Sequence, residues 1–129
     1  MCISQIMQLR SSLNRCFLQH QKESDMSKDI ISQLTDEIRA FADARDWHKY
    51  HTPKNLAMAL AGEAGELLAE FQWLTPDESS VESLNAEQKK AIEMEIADVQ
   101  IYLLRLSDVL KVDVASAVRE KIQINENRF

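Results

Sequence analysis

The sequence contains little glycine and proline, with two of each in 129 residues. Both residues disfavour helix interiors, so their scarcity beside abundant alanine, leucine, glutamate and lysine favours helix over sheet. A chain of this length forms one domain around a single core. We therefore expect an all-α fold, organised as a four-helix-bundle-like subunit.

An excess of basic residues, a cysteine motif and a long apolar run are also missing. The net charge is −6, and no lysine and arginine cluster offers a phosphate-tracking surface, which argues against nucleic-acid or membrane partners. Cys2 and Cys16 lack CxxC spacing, so neither a zinc site nor a disulfide scaffold is indicated, and we expect reduced, cytoplasmic thiols. Glu63 and Glu66 interrupt the longest apolar stretch, which therefore stays short of the about 18 residues of a membrane span.

Four acidic residues stand where core residues would be expected. Glu63 and Glu66 lie in the apolar stretch 56–73, and Glu95 and Asp98 repeat the spacing in a second apolar stretch. Residues three apart share a helix face, and buried carboxylates are costly unless a cation or donor meets them. The two pairs predict a four-carboxylate cluster that binds a cation.

The ligand types favour Mg²⁺ or Mn²⁺, because these hard cations prefer oxygen. A di-iron or di-manganese bundle would show ExxH pairs, and neither helix contains a histidine. A glycosidase needs two acids and a cleft that binds sugar, and nothing in the sequence indicates such a cleft. The alternative is that the acids lie on solvated faces, but the repetition of the pair favours the metal site.

The only glycines, Gly62 and Gly65, alternate with the first acidic pair. Each costs roughly 1 kcal/mol relative to alanine inside a helix. Either tight helix packing or room for a metal and a phosphate would account for them.

Capping residues delimit the helices, which we predict over residues 27–46, 53–73, 86–110 and 114–125. The capping residues are Ser27, Thr52 with Pro53, Asn85 with Gln88, and Asp113, and Thr75 with Pro76 closes the second helix. Trp47 follows the first helix, where it either plugs the end of the bundle or walls a ligand pocket.

Residues 1–26 form a weakly amphipathic basic segment with no acid before Glu23. We interpret it as a mobile or loosely docked N-terminal extension, which could be translated upstream of a natural start at Met26, with an organelle-targeting peptide as the alternative. The domain is expected to span residues 27–129.

The second and third helices are apolar on nearly all sides, and residues 96–106 of the third should be buried all round. Val118 and Ile122 should point inward from the last helix. Four modest helices can wrap only one such element, so we expect a homodimer or homotetramer.

Several motifs occur in a fixed order along the chain. ExxE is followed after 28 residues by ExxD, and the segments around these pairs are RDW, HTPKN, GEAGEL, FQW, EIADVQIYL and KIQINENRF. These motifs and their order resemble the MazG-like group of all-α nucleoside triphosphate pyrophosphohydrolases and, within it, the dCTP pyrophosphatases. The resemblance covers residues 30–129 and implies a MazG-type subunit.

The resemblance implies Mg²⁺-dependent hydrolysis of a deoxynucleoside triphosphate, with a dCTP-like substrate favoured, to the monophosphate and pyrophosphate. Mn²⁺ is the alternative cofactor, and house-cleaning of the nucleotide pool is the implied role. The implied metal-binding and catalytic residues are Glu63, Glu66, Glu95 and Asp98. The implied substrate-binding residues are Trp47, Trp73 and Tyr102 for the base and sugar, and Lys54, Lys121, Asn125 and Arg128 for the phosphates.

Two other functions stay open at this point. One is a non-catalytic helical module whose acidic pocket binds a cation. The other is a related hydrolase acting on a phosphoribosyl-nucleotide, although two tryptophans favour a stacked base.

Overall fold

The computed structural model describes residues 29–128, which are all-helical and contain no strand. Its elements are α1 (Ile30–Asp43), a 3₁₀ helix (Trp47–Lys49), α2 (Pro53–Ala69), α3 (Ala86–Val109) and α4 (Val114–Glu126). The predicted all-α class and the four helices are confirmed in this part of the chain. None of these helices combines the length and apolarity that crossing a membrane requires.

The chain divides into two compact units between Gln33 and Leu34. Residues 29–33 are the described part of the first unit. There the Asp29 carboxylate accepts a hydrogen bond of 2.9 Å from the Ser32 backbone N–H, as the N-cap of a helix does. The predicted cap Ser27 and the predicted extension 1–26 lie outside the described residues, so that domain boundary stays a prediction.

The caps predicted to begin α2, α3 and α4 are confirmed by their hydrogen bonds, whereas Thr75 with Pro76 does not close α2, which ends at Ala69. The side chain of Thr52 accepts from the N–H of Asn55, and Pro53 occupies the first turn of α2. Asn85 and Gln88 bond each other's backbone N–H groups in a full capping box at the start of α3. The side chain of Asp113 accepts from the N–H of Ser116 and opens α4.

Two helix ends were predicted too late. α1 ends at Asp43 rather than 46, because Asp46 takes a left-handed backbone conformation with φ 55°, which cannot continue a right-handed helix. α2 ends at Ala69 rather than 73, and turns follow it. Trp73 therefore lies in a turn beyond the helix.

The core forms where α2 packs along α3, the most extensive helix pair in residues 29–128. Its buried apolar residues are Leu56 from α2, Ile92 and Leu104 from α3, and Ala42 from α1. This is a small core for four helices. Much of the apolar surface therefore stays uncovered in the single chain.

The prediction that residues 96–106 are buried all round is wrong for the single chain. Ile96 and Ile101 are 53% and 42% exposed. Val118 and Ile122 of α4, predicted to point inward, are each about half exposed. The physical reason is that α2 covers only one side of α3.

An ion-pair network joins α1 to α3. The Asp108 carboxylate accepts hydrogen bonds from Nε of Arg39 at 2.9 Å and from Nη1 of Arg105 at 2.8 Å. The side chains of Asp108 and Arg105 are each only 7% exposed. The hydrogen bond from Arg39, with the positive charges nearby, holds the pKa of Asp108 below its ordinary value of 3.8. The network therefore has a buried centre, the pair of Asp108 and Arg105, which the partly exposed Arg39 contacts from α1.

Asp108→Ala should lower the free energy of unfolding by about 3–5 kcal/mol, because it leaves the buried Arg105 without its counter-ion. Since the folded pKa of Asp108 is lowered, its contribution is present above its unfolded pKa and is lost as the pH falls through the folded value. Urea unfolding at pH 7 and below pH 4 measures both effects. Glu93→Gln is the matched control, since it removes a carboxylate from the exposed Lys90–Glu93 pair of the same helix. Equal losses in the two variants would contradict a stabilising role for the network.

Candidate active site

Three carboxylates gather between α2 and α3. Glu63 and Glu66 project from one face of α2, and Glu95 meets them from α3. One ligand oxygen from each of the three residues lies within 4.8 Å of the others. We call Glu63, Glu66 and Glu95 the carboxylate cluster. Glu63 and Glu95 are half-buried, whereas Glu66 is exposed.

The crowded negative charge changes the acidity of this cluster. Burial, and then the charges of Glu66, Asp98 and Glu95, raise the pKa of Glu63. Burial also raises the pKa of Glu95, followed by the charges of Glu66, Asp98 and Glu70. Asp98, the fourth predicted ligand, therefore lies close enough to act on both residues, but it is outside the group of three. Each proton or cation taken up would relieve this repulsion.

The donor set fits a divalent hard cation. Oε2 of Glu95 is buried and has no hydrogen-bond partner among the described residues. A buried, unpaired carboxylate oxygen is unfavourable unless something positive meets it. Carboxylate oxygens are the ligands that Mg²⁺ and Mn²⁺ prefer. The cluster could therefore hold such an ion.

Asp98 also lines a pocket of about 250 Å³, which we call the aromatic pocket. The ring of Trp47 meets Phe41 edge-on at a centroid distance of 5.7 Å and His51 at 5.8 Å. The wall is completed by side chains of α1 and α3: Ile38, Ala42, Ile101, Tyr102 and Arg105. Trp47 lines this pocket and is 40% exposed, so the ring is not fully buried in the single chain, and its role as a plug of the bundle end stays a prediction. The pocket is apolar and aromatic with a few polar groups, a composition typical of small-molecule sites.

Sequence reasoning did not find Arg105, a charged residue that is only 6% exposed. Its Nε donates a hydrogen bond of 3.1 Å to Nδ1 of His51. Burial, and then the positive charge of Arg105, lower the pKa of His51. The available signal was one arginine inside the apolar run IYLLRL, with Asp108 one turn later to neutralise it.

The other predicted substrate residues lie elsewhere. Trp73 is 86% exposed and does not line the aromatic pocket. The four predicted phosphate contacts are exposed and are not among the pocket's wall residues: Lys54, Lys121, Asn125 and Arg128. Of the three predicted base contacts, the single chain therefore brings together only Trp47 and Tyr102.

The glycines of α2 face open space. A Cβ built on Gly62 or Gly65 would meet no atom within 4 Å beyond its neighbours and the adjacent backbone of its own helix. Tight packing inside the described chain is therefore not the reason for these glycines. Free room beside the carboxylate cluster is consistent with this finding.

Comparison with known proteins agrees with this geometry. The sequence model of the MazG-like family matches residues 59–129. dCTP pyrophosphatase 1 from Homo sapiens is 42% identical over 69% of the chain, and the Bos taurus protein of the same name is 38% identical over the same share. The chain spans about half the length of these curated relatives, 52% and 53% respectively.

A solved structure is also similar. The crystal structure of a pyrophosphatase from Archaeoglobus fulgidus has a TM-score of 0.72 and 43% sequence identity. The match covers 79% of this chain and 94% of that one.

Without metal, Glu95→Gln should raise the melting temperature at pH 7, because it removes one of several repelling charges. The difference in melting temperature between Glu95→Gln and the wild type should become smaller as the pH falls toward 4.5. The raised pKa of Glu95 lets the folded wild type bind protons before the unfolded chain does, so the wild type becomes more stable in acid. Thermal unfolding in EDTA between pH 4.5 and 7 measures this, with Glu93→Gln as the exposed control on the same helix. A lower melting temperature for Glu95→Gln at pH 7 would contradict the repulsion.

Proposed function

The chain belongs to the MazG-like family, and we propose on that basis that it hydrolyses a deoxynucleoside triphosphate, with a dCTP-like base favoured, to the monophosphate and pyrophosphate. The observation that carries this proposal is the carboxylate cluster beside the aromatic pocket, with Asp98 linking the two. The names of the similar proteins support the same reaction. The role would be house-cleaning of the nucleotide pool.

A Mg²⁺ or Mn²⁺ ion would be held by Glu63, Glu66 and Glu95, with Asp98 on the side of the pocket. When bound, the ion would neutralise phosphate charge and lower the pKa of a water molecule. In the reaction, water oxygen bonds to the α-phosphorus while the bond from that phosphorus to the α,β-bridging oxygen breaks. One of the glutamates would also orient the attacking water and take up its proton as the bond to phosphorus forms. Pyrophosphate then leaves with the bridging oxygen.

Trp47 and Tyr102 would bind the base in the aromatic pocket, where Trp47 already presents an accessible ring. Trp73 does not line that pocket and is highly exposed, so we propose that it reaches the pocket of a partner subunit in a homodimer or homotetramer. The exposed apolar residues of α2 and α3 support such an assembly, since Met58, Leu68 and Ile96 would otherwise face water. Lys54, Lys121, Asn125 and Arg128 would then contact the phosphates.

Glu63→Gln should abolish hydrolysis while leaving the helical circular dichroism unchanged, because the residue supports the cation and not the core. The assay is a panel of canonical and modified nucleoside triphosphates and a phosphoribosyl-nucleotide with Mg²⁺, scored for pyrophosphate against orthophosphate. dCTP should give dCMP and pyrophosphate, and the control Glu93→Gln should keep full activity.

Three results would redirect the proposal. Full activity in Glu63→Gln would show that the carboxylate cluster is not the reaction centre. Mg²⁺ binding without turnover would favour a non-catalytic cation-binding module. Preference for the phosphoribosyl-nucleotide would move the substrate to that class.

Trp47→Ala and Trp73→Ala should each raise KM for dCTP by about 5- to 150-fold, since stacking a base on an aromatic side chain contributes roughly 1–3 kcal/mol. Steady-state kinetics and thermal unfolding on the same proteins separate binding from folding. A large loss of stability with an unchanged KM would make Trp47 a structural residue.

Mixing the two variants tests the shared pocket. If each pocket takes Trp47 from one subunit and Trp73 from the other, a mixed dimer contains one doubly defective pocket and one intact pocket. About half of wild-type activity per mixed dimer should then return. Activity no higher than the average of the parents would argue against a pocket shared between subunits.

A further inference from the structure

The hydrogen bond between Arg105 and His51 determines where the imidazole carries its proton. Arginine has five N–H donors and no acceptor. Because Nε of Arg105 donates to Nδ1 of His51, this nitrogen must accept and cannot bear a hydrogen. A neutral imidazole in this arrangement carries its proton on Nε2.

The surroundings also keep His51 neutral. An imidazolium would direct a second N–H at the guanidinium and place two positive charges together. Arg105 itself cannot turn away easily, since it is 6% exposed and its Nη1 is bonded to Asp108, which Arg39 holds from α1. The only other charged group in the pocket wall is Asp98.

The second ring nitrogen, Nε2, is the one left for a ligand. His51 lines the aromatic pocket, and within residues 29–128 no group is hydrogen-bonded to its Nε2. Much of the nearby wall is apolar, formed by Ile38, Phe41 and Ile101. The other side-chain donors among the wall residues are the indole N–H of Trp47, the hydroxyl of Tyr102 and the remaining N–H groups of Arg105.

We propose that Arg105 is a positioning residue that fixes His51 as the neutral Nε2–H tautomer, so that the aromatic pocket presents a hydrogen-bond donor to an acceptor atom of the bound base. The inference rests on the proposed function, because that function places a base in this pocket. The ligand class is a heterocyclic base with an accessible ring nitrogen or carbonyl oxygen. A base that turns an N–H toward His51 would leave two donors facing each other, and the pocket would reject it.

The tautomer is measured directly by the ¹⁵N spectrum of the histidine rings. In wild type at neutral pH, His51 should show an unprotonated Nδ1 and a protonated Nε2. The exposed His48 provides an internal reference. Arg105→Met should spread the proton over both nitrogens and raise the pKa of His51, because the donor and the positive charge are gone. A proton on Nδ1 in wild type would overturn the inference even if the variant fails to fold, and so would an unchanged tautomer in a folded Arg105→Met.

The contact with the base is tested by titrating dCMP into metal-free protein, with deoxyribose 5-phosphate as the probe that lacks a base. The Nε2–H signal of His51 should shift with dCMP and not with deoxyribose 5-phosphate. His51→Leu should weaken dCMP binding by about 2- to 12-fold, whereas His51→Gln retains a donor and an acceptor and should bind nearly as wild type. Equal shifts with both probes, or no shift with dCMP, would overturn the contact.

The two proposals fail in different ways. If the wild-type protein hydrolyses dCTP but His51 carries its proton on Nδ1, the inference about His51 is wrong and the proposed reaction stands. If the Nε2–H resonance of His51 shifts with dCMP but the protein hydrolyses no triphosphate, the proposed reaction is wrong and the inference about His51 stands.

Discussion

Repulsion among like charges is the constraint on which the candidate site depends. α2 and α3 pack closely enough to bring oxygens of Glu63, Glu66 and Glu95 within 4.8 Å of one another. Burial makes this arrangement more unfavourable, as the raised pKa values of Glu63 and Glu95 show. A fold selected for stability alone would place neutral side chains here. The cluster is understandable as a site that is completed by a cation.

One row of residues along α3 arranges the whole site. Glu95, Asp98, Tyr102, Arg105 and Asp108 follow one another at intervals of three or four residues, so each neighbours the next on the helix surface, and the row winds about 140° around the helix. The beginning of this row supplies carboxylates, its middle lines the aromatic pocket, and its end contacts Arg39 of α1. A rigid helix therefore fixes the position of the cation site relative to the pocket.

The sequence predicted those parts of the molecule that depend on short spacings. The caps at Thr52, Asn85 and Asp113 are local hydrogen bonds within three residues, and the acidic pairs share a face by helix geometry alone. The contact between His51 and Arg105 joins positions 54 residues apart, and no local pattern reports it. The burial expected around Ile96 failed because one chain lacks the surface to cover it.

The central claim is that a cation held by the carboxylate cluster lies beside the aromatic pocket. Paramagnetic relaxation by Mn²⁺ tests it most directly, because the ion broadens only nearby resonances. With Mn²⁺ and dCMP bound, the signals of Asp98, Tyr102 and the His51 ring should broaden together with those of the cytosine, and Glu63→Gln should remove the effect. Broadening that persists in Glu63→Gln, or that spares the pocket and the nucleotide, would contradict the account.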